Sequence, residues 1–115
     1  MREVHEHLSK EDHECLHHCE ECHDSCLHMI QHCLEKGGRH AQPEHIRLLQ
    51  DCSQICHTAA DFILRGSPLH GAVCEACAQV CEACAKSCAD LGDNDAAKIC
   101  GRCAQSCHAM KTHKH

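Results

Sequence analysis

The cysteines recur along this chain at alternating steps of three and four residues. Cys15, Cys19, Cys22 and Cys26 step by 4, 3 and 4, and Met29 and Cys33 extend the row. Cys74, Cys77, Cys81, Cys84 and Cys88 step by 3, 4, 3 and 4, and Cys100, Cys103, Cys107 and Met110 by 3, 4 and 3. A 3–4 alternation is the inward seam of a helix in a bundle, since residues so spaced fall on one stripe. A fourth stretch has only Cys52 and Cys56 on its seam, continued by His45, Leu49, Ala59 and Ile63.

Three breaks separate these stretches: Gly37-Gly38 followed by Pro43, then Gly66-Ser67-Pro68, then Leu91 to Asp95. Pro43 suits a first helical turn, and Asp93 or Asn94 suits an N-cap. The segments between breaks are rich in helix formers and poor in β-branched and aromatic residues. The sequence therefore predicts one all-α domain over residues 1–115, an antiparallel up-down-up-down four-helix bundle with a Cys-lined core. The expected helices are 11–36, 43–65, 69–91 and 94–111, with frayed ends around His5, His7, His113 and His115.

Composition agrees that sulfur fills the core. The chain has 15 Cys in 115 residues and a single aromatic, Phe62. Neutral thiols behave as small hydrophobes, but this density marks a metal protein or a disulfide scaffold. An odd count forbids complete internal pairing. The polar start is unlike an export signal, so the expected compartment is the reducing cytoplasm. The net charge of −6, the absence of a basic cluster and the lack of stacking rings exclude a nucleic-acid binder. No apolar run is long enough to span a membrane.

Thiolates at i, i+3 and i, i+4 converge on one ion without distorting a helix. Cu(I) is soft and accepts two or three sulfurs, so it fits such a stripe. Zn(II) prefers four tetrahedral ligands, commonly from segments that wrap the ion. Charge points the same way: one Cu(I) per thiolate neutralises the core, whereas one Zn(II) per four thiolates leaves −2 at each site. Iron–sulfur spacing usually sits on loops and often ends in Cys-Pro, and no Cys here precedes Pro. A zinc or general thiolate buffer and a cluster-bearing redox protein are the alternatives. No base stands beside a nucleophile and every Cys belongs to a stripe, so the chain reads as non-enzymatic.

Other imidazoles need separate treatment. His13, His17, Glu21, Asp24, His28 and His32 form a second stripe opposite the first Cys seam. Glu14-x-x-His17 and Glu20-x-x-His23 match half of a di-iron bundle motif, but both lie on one helix, so a solvated face is expected. His57 and His108 should flank the core. His45 and His70 fall on the stripes near helix starts and are candidate ligands or polar caps, with Met29 and Met110 as candidate thioether ligands. Copper is expected to enter at the His70 and Met110 end, because Leu48, Leu49 and Leu91 can plug the other.

The Cys15–Cys26 row, the Cys74–Cys88 ladder and the Cys100–Cys107 row together resemble the bacterial copper storage proteins. The resemblance spans about Glu11 to Lys111. It implies storage of multiple Cu(I) ions by all fifteen Cys, with His45, His70, Met29 and Met110 serving near the bundle ends. It also implies the cytosolic branch, a homotetramer, and exchange with a copper donor or acceptor protein. The Cys-poor second helix departs from the pattern.

Overall fold

A computed structural model describes residues 8–111. Four helices follow in order: α1 (Lys10–Lys36), α2 (Pro43–Leu64), α3 (His70–Asp90) and α4 (Asn94–Lys111). A short 3-10 turn, Gly38–Ala41, joins α1 to α2. The ends expected to fray, around His5, His7, His113 and His115, lie outside the described residues.

Each boundary has a local cause. Ser9 Oγ accepts from Asp12 N–H at 3.0 Å and Asp12 Oδ2 accepts from Ser9 N–H at 3.0 Å, a reciprocal capping box. It starts α1 one residue earlier than the seam suggests. Pro43 opens α2 at its first turn, as expected. At the end of α3, Asp93 N–H bonds the Cys88 carbonyl at 2.9 Å and Gly92 N–H bonds the Ala89 carbonyl at 3.0 Å. Gly92 has φ of 82°, which favours glycine, so this is a Schellman stop. Leu69 and Leu91, expected inside the third helix, flank it instead.

Sulfur contacts fix the topology. Cys15 lies 3.8 Å from Cys107, Cys19 3.8 Å from Cys103, and Cys22 3.7 Å from Cys100. The numbers rise along α1 as they fall along α4, so the two helices are antiparallel. Cys52 with Cys81 at 3.6 Å and Cys56 with Cys77 at 3.8 Å give the same result for α2 and α3. Each helix packs against two neighbours in the ring α1–α2–α3–α4. This is the expected up-down-up-down bundle, and no strand occurs among the described residues.

The core is a sulfur column. All fifteen Cys are unpaired and buried, none above 1% exposed. Larger apolar side chains sit near its ends: Leu49 towards one, and Ile63, Leu16 and Met110 towards the other. No described helix is long and apolar enough to cross a membrane.

Neutral thiols bury like small hydrophobes, so the packing needs no metal to be favourable. We expect the metal-free, reduced chain to keep its helical far-ultraviolet circular dichroism. A random-coil spectrum on metal removal, as in a zinc finger, would contradict this.

Candidate metal centre

The 3–4 spacing turns every seam inward, and antiparallel pairing stacks the sulfurs into layers. Cys15, Cys74 and Cys107 form the first layer, and Cys19, Cys77, Cys103 and Cys107 the second. Cys22, Cys56, Cys81 and Cys103 form the third, and Cys22, Cys26, Cys52 and Cys100 the fourth. Within each layer every sulfur lies within 4.8 Å of the others. Cys107, Cys103 and Cys22 each belong to two layers, so the column is continuous rather than a set of isolated sites.

Nearest sulfur contacts run from 3.5 Å, between Cys22 and Cys52, to 3.9 Å, between Cys26 and Cys100. Two thiolates bound to one ion by bonds of about 2.3 Å lie roughly 3.8–4.6 Å apart, depending on angle. The column therefore needs only slight expansion to receive ions between its sulfurs. Shared sulfurs suit bridging, in which one thiolate serves two ions. Cys84 and Cys88 are fully buried on the same α3 seam but belong to none of these layers.

In the empty column burial raises the thiol pKa values, while hydrogen bonds between sulfurs raise some and lower others. The Cys107 pKa is raised because its thiol serves Cys103 and Cys15, and that of Cys15 is lowered because it accepts from Cys107. Cys26 is raised first by its bond to Cys100, and Cys56 first by its bond to Cys103, with burial adding to both. Burial is the main cause for Cys33, and the neighbouring Asp93 carboxylate reinforces it.

At the end of α1 the chemistry changes. Cys33 Sγ lies 3.5 Å from His45 Nε2 and 3.9 Å from Asp93 Oδ2. These three form a separate group of sulfur, nitrogen and oxygen, with Cys33 and His45 buried and Asp93 partly buried. Burial lowers the His45 pKa and favours its neutral form. His45 thus sits among metal-ligating side chains, as a ligand reading requires. Asp93 does occupy the position before α4, but its carboxylate turns to Cys33 rather than only capping.

His70 is buried and its Nδ1–H donates to the Ser67 carbonyl at 2.8 Å, the contact of a polar cap. Met110 is buried at the same end of the bundle, and Met29 is half-buried. None of these three joins a sulfur layer. The second stripe of α1 faces outward, and Glu21 there pairs with Arg102 at 3.6 Å. His57 and His108 flank the core, paired with Asp61 at 3.6 Å and Glu82 at 2.9 Å. Sequence reasoning missed Asp93 and His40 as possible donors, since both lie in turns where periodicity carries no information.

Fold and site define a class: a helical bundle whose interior is a continuous thiol column for soft metal ions. Residues 8–112 match the family model for copper storage protein. A crystal structure of the Nmul_A1745 protein from Nitrosospira multiformis superposes with a TM-score of 0.87 at 40% identity, covering 89% of this chain and 95% of that one. The Cu(I)-bound copper storage protein BsCsp3 gives 0.83 at 31% identity, over 90% of this chain and 100% of that one. The apo form of copper storage protein 3 from Bacillus subtilis gives 0.72 at 34% identity, over 85% and 96%. The uncharacterized cysteine-rich protein YhjQ of Bacillus subtilis is 35% identical over 74 residues, 64% of this chain and 68% of that protein. This chain belongs to the copper storage protein family.

Thiols with raised pKa tie the empty column to pH. Where the folded value exceeds the unfolded one, stability is complete below the unfolded pKa and falls as pH rises past it. Cys26, Cys56 and Cys107 are such groups. We expect the metal-free bundle to lose thermal stability as pH climbs above about 8.5, where exposed thiols ionise. Melting curves that stay flat from neutral pH to pH 10 would contradict it.

Proposed function

We propose that this protein stores Cu(I), binding many ions through the Cys thiolates inside the bundle. The observation that carries the reading is the shared membership of Cys22, Cys103 and Cys107, which makes four sulfur layers one continuous column. Each incoming Cu(I) replaces a thiol proton, so a neutral core stays neutral as it fills. The proton leaves to solvent, the copper remains monovalent, and no electron is transferred.

Storage rather than catalysis fits the same geometry. Sulfurs at most 1% exposed are closed to an organic substrate. Fifteen free thiols suit a reducing compartment such as the cytoplasm. The family resemblance supports a homotetramer, and the exposed Leu27, Leu34 and Leu69 offer apolar surface for self-association. Delivery and withdrawal of copper belong to a donor or acceptor protein. The buried Met110 and His70 mark the end at which we place its docking.

Capacity is the first test. Anaerobic titration of the reduced chain with Cu(I), against a competing chelator, should saturate at on the order of one ion per Cys, about fifteen per chain. Saturation at three or four ions with tetrahedral signatures would favour a zinc-type thiolate buffer. The same titration in weak buffer should release about one proton for each Cu(I) bound. Uptake without proton release would mean that the empty column already holds thiolates.

A further inference from the structure

One end of the bundle departs from the all-sulfur chemistry. Four segments converge there: the end of α1 with Cys33, the 3-10 turn with His40, the start of α2 with His45, and the turn before α4 with Asp93. Cys33 Sγ to His45 Nε2 is 3.5 Å, Cys33 Sγ to Asp93 Oδ2 is 3.9 Å, and His40 Nε2 to the same Oδ2 is 3.5 Å. The ligand atoms of a tetrahedral zinc ion, bound at 2.0–2.3 Å, stand about 3.3–3.8 Å apart. Cys33, His45 and Asp93 lie within 4.8 Å of one another, close to three edges of such a tetrahedron, and His40 meets this group through Asp93.

Two further features point to a ligand. His40 Nε2 is buried and makes no hydrogen bond, although a donor or acceptor there loses its hydration. His45 is oriented from behind, with its Nδ1 2.7 Å from Ser87 Oγ. When Nδ1–H donates to that hydroxyl, Nε2 presents its lone pair to Cys33, the arrangement that usually supports a metal-bound imidazole. Asp93 is held by its backbone N–H bond to the Cys88 carbonyl, and its carboxylate already turns to Cys33 and His40.

We propose that Cys33, His40, His45 and Asp93 form a tetrahedral site for a divalent borderline cation of the Zn(II) class, distinct from the copper column. Donor hardness separates the two: carboxylate oxygen and imidazole suit Zn(II), whereas Cu(I) prefers sulfur. Charge separates them too. A divalent ion with one thiolate, one carboxylate and two neutral imidazoles is neutral, whereas Cu(I) in the same shell leaves −1 in a buried place. The site ties α1, α2 and the α3–α4 turn together, so its ion acts as a structural clasp on that end. Here Cys33 and His45 leave the copper count, which falls by about one.

The test loads the full chain with Cu(I) in the presence of Zn(II), removes loose metal by gel filtration with a weak chelator, and counts both metals. We expect about one Zn(II) retained per chain, with a zinc absorption-edge shell of one sulfur and three nitrogen or oxygen atoms. Asp93→Asn and His40→Ala should each lower zinc retention at least tenfold. Both variants should keep the helical spectrum and their copper capacity within about one ion. The proposal is overturned if no zinc survives copper loading, if the zinc shell is all sulfur, or if both variants retain zinc like the parent chain. The copper count on the same samples judges the storage reading separately, since its failure would show there and not in the zinc shell.

Discussion

The dual nature of buried sulfur governs this molecule. A protonated thiol is small and apolar and packs like a methyl-bearing side chain. The same atom as a thiolate cannot remain in a dry interior without a cation. Fifteen such atoms on inward seams give a core that is neutral with protons and neutral again with monovalent metal. The bundle geometry serves this exchange, because antiparallel helices with matched 3–4 seams bring sulfurs to within 4 Å at successive α1–α4 and α2–α3 steps.

The two ends impose different chemistry on the column. Towards Ile63, Leu16 and Met110 the seams meet apolar packing, with His70 tied to the Ser67 carbonyl. Towards the α1–α2 and α3–α4 connections they meet nitrogen and oxygen donors. The difference comes from the connections themselves. A helix seam can repeat one residue type indefinitely, whereas turns supply the polar residues that cap helices. At one end these caps also face the last sulfur.

Much of this was legible in the sequence. The alternation of Cys74, Cys77, Cys81, Cys84 and Cys88 fixes the helical period without any propensity argument, and breaks rich in Gly, Pro, Asp and Asn separate four segments. Helix boundaries shifted by a residue where caps decided them. The Ser9–Asp12 box extended α1, and Leu69 and Leu91 dropped out of α3. The layers were not legible. Which Cys of α2 meets which of α3 depends on the register set by loop geometry, and two Cys in α2 cannot reveal it. Asp93 and His40 were hidden for the same reason, since spacing along a chain carries no information about side chains that meet through separate turns.

The central claim is that the sulfur column holds Cu(I) as bridged thiolate clusters, not as isolated ions. Copper absorption-edge spectroscopy on the fully loaded, reduced chain tests it most directly. Bridging by shared sulfurs such as Cys22, Cys103 and Cys107 predicts a copper shell dominated by two to three sulfurs, with a clear copper–copper scattering path. A shell dominated by nitrogen or oxygen, or a sulfur shell with no copper–copper path at full loading, would contradict the account.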